Sequence, residues 1–155
     1  QGQRGLGNRS LLMNPSHPQA QEKLNEIKKR EWYRPFACSI LQEEARNWFD
    51  MKGLSESPYM MYVFNLLESK KNILKSGISK NNTSRIQTVT KSNNQNYYNL
   101  IKSFYELTNI HLVINTSLNL PGEVLVETMY DLYNLFNNSP LKYIYLPEIN
   151  KIIIK

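Results

Sequence analysis

Four permanent cations and two aromatic residues are concentrated between Lys28 and Pro35, in the run KKREWYRP. Pro35 stiffens the backbone directly after Arg34, and a fixed guanidinium direction is what pre-organised anion binding requires. Lys28 and Arg30 lie at the predicted end of a helix, where the helix dipole alone favours cations. The run therefore predicts an anion site or, as the simpler alternative, a charge-compensated helix end.

Short polar side chains follow the apolar run LVI at residues 112–114, in the segment NTSLNLPG. Asn115, Ser117 and Asn119 alternate along it, and ligands in α/β sheets bind beyond the carboxyl ends of strands. An Asn- and Ser-rich turn held by local hydrogen bonds is the alternative. Cations in one segment and amide and hydroxyl groups in another indicate a pocket for a phosphate and a nucleotide.

Further arginines stand in segments that suit anion binding. Arg4 and Arg9 belong to the glycine-rich run GQRGLGNRS at residues 2–10, and Arg85 follows Thr83-Ser84 at the start of a predicted strand. Glycines allow close backbone approach, and guanidinium groups bind phosphate or carboxylate through paired hydrogen bonds. A solvated terminus and a surface charge are the alternatives for these residues.

The composition indicates one globular domain with an anionic partner. The chain has 155 residues, 41% of them hydrophobic, and a net charge of +6, which fits one hydrophobic core and a nucleotide, acyl phosphate, nucleic acid or membrane surface as partner. With Cys38 as the one cysteine and two histidines, we expect no disulfide and no zinc site, and hence a reduced, cytoplasmic protein. No apolar run is long enough to span a membrane. The start without Met suggests a C-terminal piece of a longer chain.

Periodicity predicts alternating strands and helices, and thus a mixed α/β layer fold. Residues 69–83 carry little apolar pattern, so we expect a solvated loop or lid there. Asn109 is predicted to cap a helix in the left-handed conformation. The last helix is expected to turn Met129, Leu132, Tyr133 and Phe136 to the core. The predicted helices are 18–27, 42–50, 97–107 and 126–136, and the predicted strands are 36–41, 60–67, 85–90, 111–114, 143–146 and 152–154.

Four motifs in this order carry a family resemblance. They are GQRGLGNRS at 2–10, IKKRE at 27–31 leading to RPFA at 34–37, TSRIQTV at 83–89, and NTSLN at 115–119 with Gly122-Glu123. Together they resemble the C-terminal domain of the O-carbamoyltransferases of the NodU and antibiotic-carbamoylating kind, over nearly the whole chain. That domain is similar to the YrdC-like fold, a twisted open sheet with flanking helices. The YrdC-like Lys-x-Arg and basic-Pro signature aligns with Lys28, Arg30, Arg34 and Pro35, and the Ser-x-Asn signature aligns with Ser117 and Asn119.

The resemblance implies a carbamoyltransferase whose YrdC-like domain makes carbamoyladenylate from carbamoyl phosphate and ATP. A separate N-terminal domain, where an iron-type metal is expected, would then transfer the carbamoyl group to a hydroxyl acceptor. Mg²⁺ is expected to bridge the phosphates, with no dedicated protein ligands. By motif position Lys28 and Arg34 are the catalytic residues, while substrate and nucleotide contacts fall to Arg4, Arg9, Arg30, Arg85, Asn115, Ser117 and Asn119.

The chain departs from the family pattern at three places. It has Ser79-Lys80-Asn81-Asn82 where the family has His-Val-Asp-Gly, Pro121 where an Arg precedes Gly-Glu, and Cys38 where a Pro follows Phe-Ala. The altered loop and the positive charge leave a catalytically weakened nucleotide- or RNA-binding module as the alternative. Threonylcarbamoyl-adenylate synthesis is a further alternative with the same fold. The sequence does not specify the acceptor.

Overall fold

A six-stranded mixed sheet forms the centre of the protein, whose computed structural model describes residues 4–155. Its strands lie in the order β1-β6-β2-β5-β4-β3. Among the described strands, β2 and β5 pair in parallel and the other neighbours are antiparallel. The strands are β1 (Ser10–Met13), β2 (Ala37–Leu41), β3 (Phe49–Asp50), β4 (Val63–Leu66), β5 (Thr83–Val89) and β6 (Leu112–Ser117).

Helices cover both faces of this sheet, which confirms the mixed α/β class. They are α1 (Ala20–Lys28), α2 (Ala45–Trp48), α3 (Gln95–Thr108) and α4 (Met129–Asn137). On one face, Leu24 and Ile27 of α1 pack with Ile114. On the other face, Tyr97 and Ile101 of α3 pack with neighbours that include Val89 and Val113. None of the helices among the described residues is long and apolar enough to cross a membrane.

The helix ends follow local capping chemistry. The Asn94 side chain accepts a hydrogen bond from the Tyr97 amide at the start of α3, and Asn109 closes this helix with φ 60°, as predicted. The expectation that Pro18 opens α1 was wrong by two residues, because the helix begins at Ala20 after a turn. Lys29 ends α1 with φ 43°, and its left-handed conformation turns the chain toward β2.

Several predicted boundaries were wrong for a physical reason. β4 begins only at Val63 and alternates exposed and buried residues, because one of its faces is solvated. Residues 42–50 form a short 3-10 turn, α2 and β3 instead of one helix. In the predicted solvated loop 69–83, Leu74 and Ser76 are buried. Met129 and Tyr133 of α4 are exposed, and Leu132, Leu135 and Phe136 are its buried residues.

The chain continues into a separate two-stranded hairpin of β7 (Tyr143–Leu146) and β8 (Lys151–Ile154). Ile144 and Ile153 pack with residues of α4. On the opposite face, Tyr143 lies across from Ile154 and Tyr145 across from Ile152, and all four are exposed. The hairpin therefore carries apolar side chains on both faces.

Cys38 lies fully buried in β2, and burial raises the pKa of its thiol to about 12. Because the thiolate is the reactive form, we expect native protein at pH 8 to react with a thiol reagent at least about 1,000-fold more slowly than a free cysteine. Chemical denaturant should restore the rate of the free amino acid. Rapid modification of the folded protein would show that this part of the sheet opens readily.

Candidate functional site

One end of the sheet gathers most of the predicted site residues. β1, β2 and β5 begin at this end and β6 finishes there, because Ser117 lies opposite Ser10 and Asn115 lies opposite Ala37. The parallel register of β2 and β5, continued by one residue, places Ala37 beside Arg85. Chain connectivity thus brings residues separated by up to about a hundred positions to one edge of the fold.

A row of side chains crosses the sheet at this end. Asn115, Ala37 and Arg85 lie on three adjacent strands and share one face, so the Cα atoms of Asn115 and Arg85 are about 10 Å apart. The small side chain of Ala37 leaves the middle of the row shallow. Ser39 and Gln87 stand next to this row on the same face, since side chains alternate along a strand.

Lys28 joins this end of the sheet from the last turn of α1. The residue is only 5% exposed. Its Nζ donates to the carbonyl oxygens of Ser117 at 2.9 Å and Asn119 at 2.8 Å, and to Asn119 Oδ1 at 2.7 Å. Ser117 Oγ lies 3.3 Å from the same Nζ and donates to Asn119 Oδ1 at 2.6 Å. The structure therefore brings together Lys28, Ser117 and Asn119, as the two aligned signatures imply.

Positive charge is concentrated around Lys28 in this cluster. Burial, and secondarily Arg30, lowers the pKa of Lys28 to about 8. Burial, followed by the charge of Arg34, lowers the pKa of Arg30. Within residues 4–155, none of the ion pairs includes Lys28. Arg30 repels Lys28, Arg34 repels Arg30, and the buried ammonium of Lys28 contacts only neutral oxygens, an arrangement typical of a site that accepts a negative charge.

Arg34 and Arg30 lie at the edge of this cluster. Arg34 is exposed, and its Nε lies 3.0 Å from Glu31 Oε2. The Arg30 guanidinium carbon lies 5.6 Å from the centre of the Phe36 ring. An exposed pair of this kind is weak, so Arg34 can exchange Glu31 for a ligand at small cost. The role given to Arg34 stays a prediction.

The other predicted arginines differ in how they are held. Arg9 donates from Nη1 to the Val126 carbonyl at 3.1 Å, and its own carbonyl accepts from the Leu118 amide at 3.0 Å. Arg9 thereby ties β1 to the segment that follows β6. Arg4 and Arg85 are exposed. The first two residues of the GQRGLGNRS motif lie outside the described residues.

Asn115 belongs to a buried network, which the sequence did not reveal. Its Nδ2 donates to Ser39 Oγ at 2.8 Å and to Gln87 Oε1 at 3.1 Å, and the Ser39 hydroxyl donates to Gln87 Oε1 at 2.8 Å. Gln87 Nε2 donates to the Leu6 carbonyl at 3.1 Å. Asn115 is only 2% exposed, so it shapes the floor of the site and does not project from it. The sequence feature that could have indicated this network is the presence of Ser39 and Gln87 within the otherwise apolar strands β2 and β5.

The turn around Gly7 closes over this network. Gly7 has φ 91°, and a Cβ at this position would lie 2.1 Å from Cδ1 of Tyr97. Its amide donates to Ser10 Oγ at 2.9 Å. The ring of Tyr97 on α3 therefore fixes the path of the segment that carries Arg4 and Arg9.

The loop that departs from the family pattern forms a compact turn. The Asn82 amide donates to the Ser79 carbonyl at 2.9 Å, and Asn82 adopts φ 57°. Lys80 places its Nζ 5.1 Å from the centre of the Trp32 ring. The altered loop thus contacts the cationic segment between α1 and β2.

Comparison with known proteins identifies the family. The sequence model of the family described as "Carbamoyltransferase C-terminus" matches residues 1–153. The chain is 38% identical over 142 residues to nodulation protein NolNO of Sinorhizobium fredii, across 90% of this chain and 21% of that protein. It is 37% identical over 131 residues to the 3'-hydroxymethylcephem-O-carbamoyltransferase of Amycolatopsis lactamdurans, across 84% and 24%. For nodulation protein U of Rhizobium tropici the identity is 33% over 121 residues, across 78% and 21%.

Fold and site together define a mixed α/β domain with a buried lysine held against a Ser-x-Asn turn at the end of a strand. The chain belongs to the carbamoyltransferase C-terminus family. It spans about a fifth to a quarter of the length of the curated relatives it matches.

Proposed function

We propose that this domain forms carbamoyladenylate from carbamoyl phosphate, ATP and one water molecule, with release of phosphate and pyrophosphate; the water cleaves the carbamoyl–phosphate bond, and the resulting carbamate oxygen attacks the α-phosphate of ATP as pyrophosphate leaves. A separate N-terminal domain of the longer protein would then carry the carbamoyl group to a hydroxyl acceptor. The observation that carries the proposal is the buried Lys28 ammonium, which has neutral oxygens around it and two further cations nearby. A ligand with several negatively charged phosphate groups is the kind that such a cluster stabilises best.

The chemistry needs positioned charge more than a protein nucleophile. Adenylation moves negative charge between phosphates, so cations and amide groups fixed before the reaction lower its barrier. In this proposal Lys28 and Arg34 hold the reacting phosphate groups, and Arg4, Arg9, Arg30 and Arg85 add positive charge at the rim. Ser117 and Asn119 position Lys28, and Asn115 supports the floor. Mg²⁺, when bound to the phosphates, would neutralise part of their charge.

The hydrogen bonds that Lys28 makes to the protein constrain its role in phosphate binding. An ammonium group has three N–H donors, and the Ser117 and Asn119 contacts already use them. Binding of a phosphate oxygen therefore requires Lys28 to exchange at least one protein acceptor for the ligand. The exchange replaces a bond from the ammonium to a neutral oxygen by one to a charged oxygen, and so adds the attraction between two opposite charges.

A pyrophosphate exchange assay tests the proposal on the full-length protein. Labelled pyrophosphate is expected to enter ATP only when carbamoyl phosphate is present. Threonine with bicarbonate, offered instead, distinguishes threonylcarbamoyl-adenylate synthesis. Absence of exchange with either donor would reject adenylation. Tight RNA binding that falls steeply with salt would then favour the RNA-binding alternative.

Binding of carbamoyl phosphate should weaken as the pH rises through about 8. Lys28 is charged below this pKa and neutral above it, so the affinity is expected to fall up to about tenfold for each pH unit between 8 and 10. Calorimetric titrations at pH 7, 8, 9 and 9.5 measure the slope. A Lys28→Met variant should bind weakly without this slope, and an identical slope in that variant would assign the titration to another group.

A lower stability of the folded protein at high pH does not explain such a loss of affinity. The folded pKa of Lys28 is below its unfolded value near 10.4, so between pH 8 and 10.4 the unfolded chain binds more protons. The contribution of Lys28 to stability therefore rises with pH in this window, whereas its contribution to anion binding falls. Thermal melts at the same pH values separate the two effects.

A further inference from the structure

An exposed aromatic pair lies between the two arginines at the edge of the Lys28 cluster. Trp32 is 70% exposed and Tyr33 is 60% exposed, and their ring centres lie 6.0 Å apart at an interplanar angle of 87°. Arg30 precedes Trp32 by two residues, and Arg34 follows it by two. The position of the Trp32 ring is therefore coupled to that of both guanidinium groups through one short stretch of backbone.

The backbone of this stretch is held from α1. Gln21 Nε2 donates to the Trp32 carbonyl at 2.6 Å and lies 3.5 Å from the Arg34 carbonyl. The Arg34 amide donates to the Glu31 carbonyl at 3.2 Å, which closes a turn. These bonds attach the stretch to the helix, whereas the side chains of Trp32 and Arg34 are exposed.

The turn before β5 is a firmly built neighbour of this stretch. The Ser79 amide donates to the Thr83 carbonyl at 2.8 Å, and the hydroxyl oxygens of the same two residues lie 2.7 Å apart. Thr83 is the first residue of β5, so the turn extends the central sheet. The next residue, Ser84, is buried and donates to the Gly77 carbonyl at 2.8 Å. The exposed Lys80 therefore projects from a fixed base.

Lys80 reaches from this turn to the aromatic pair. Its Nζ lies 5.1 Å from the centre of the Trp32 ring, within the distance of about 6 Å at which an ammonium is attracted to the face of an indole. We infer that Lys80 is a positioning residue for phosphate binding, because through the Trp32 ring it sets where Arg34 lies. The inference rests on the proposed function for the identity of the anion.

Arg34 has little else to restrain it. Its pair with Glu31 is exposed on both sides and therefore weak. The charge of Arg34 lowers the pKa of Arg30, so the two guanidinium groups repel each other and push Arg34 outward. A stretch that is ordered before the ligand arrives loses less conformational entropy on binding, and so binds an anion more tightly. The contact of Lys80 with Trp32 supplies this order from the side of the sheet.

Lys80→Met and Trp32→Leu in the full-length protein each remove this contact. Loss of an exposed contact between a cation and a ring is expected to raise the KM for carbamoyl phosphate about 2- to 5-fold in either variant. Lys80→Arg, which keeps a cation over the ring, should retain the wild-type KM. Lys75→Met is the matched control, since it removes an exposed lysine that contacts no aromatic ring among the described residues. Equal thermal melts of the variants exclude misfolding.

Combined variants distinguish a positioning residue from a phosphate ligand. The double variant Lys80→Met/Trp32→Leu should have the same KM as either single variant, because both changes break one contact. In an Arg34→Gln background, Lys80→Met should have no further effect. A further rise in KM in either combination would show that Lys80 acts on the phosphate by its own charge. An unchanged KM in Trp32→Leu would show that the ring does not position Arg34, and each of these results overturns the inference.

Direct binding keeps this test independent of catalysis. Calorimetric titration with inorganic tripolyphosphate should show the same rise in Kd for Lys80→Met, for Trp32→Leu and for the double variant. If the wild-type protein exchanges pyrophosphate but none of these variants changes KM or Kd, the inference is wrong although the proposed function stands. If the three variants weaken tripolyphosphate binding equally in a protein that shows no exchange, the inference holds and the proposed function fails.

Discussion

Lys28→Met in the full-length protein is expected to reduce carbamoyl-phosphate-dependent pyrophosphate exchange by about 100-fold or more. Removal of one pre-organised charge from a site of this kind costs about two to three orders of magnitude in rate. Methionine has nearly the length and the apolar stem of lysine, so the buried volume at the end of α1 is preserved. The measured quantity is the exchange rate at saturating ATP and carbamoyl phosphate.

The substitution has a structural consequence that must be separated from the catalytic one. Ser117 and Asn119 lose their donor when the ammonium is removed, and unsatisfied buried oxygens cost about 1–3 kcal/mol each. Lys23→Met on the exposed side of α1 is the matched control and should retain full exchange. A Lys28→Met protein that melts at a lower temperature but exchanges at the wild-type rate would show that Lys28 only holds the turn.

Gly7→Ala is expected to be strongly destabilising, because it adds a methyl group at a positive φ and against a buried ring. A left-handed backbone costs a residue with a Cβ about 1–2 kcal/mol. The new methyl group would also meet the body of the buried Tyr97 ring at 2.1 Å, and overpacking of this kind adds about 1–3 kcal/mol. At about 2–4 °C for each kcal/mol, the melting temperature should fall by about 5–15 °C.

Gly53→Ala separates these two costs. Gly53 has φ 83°, but a Cβ there would meet no atom within 4 Å among the described residues. It should therefore lower the melting temperature by only about 2–8 °C. In a Tyr97→Ala background, Gly7→Ala should cost no more than Gly53→Ala does, because the ring is gone. Equal melting temperatures for the two single variants would show that the 4–9 segment moves aside freely.

The sequence predicted the parts of the fold that depend on local chemistry. Helix α3 and its Asn109 cap follow from apolar spacing and from the tolerance of asparagine for positive φ. The convergence of Lys28 with Ser117 and Asn119 was implied by the aligned family signatures. No periodicity argument gives it, because it depends on β6 pairing with β2 and on α1 crossing the sheet.

Other features required the tertiary structure. Met129 and Tyr133 match a helical apolar face, yet they are exposed because the hairpin and the segment before α4 cover a different side of this helix. The network of Asn115, Ser39 and Gln87 forms across three strands whose order is not contiguous in the chain. Single-residue propensities carry no information on such pairing.

Among the strands that the structure describes, β8 pairs only with β7, and it presents Ile152 and Ile154 to solvent. Its free backbone edge next to exposed isoleucines is a template on which another molecule can add a strand. We therefore expect strand addition at this corner when the protein is concentrated. Ile154→Lys places a charge on this exposed strand and should oppose such addition.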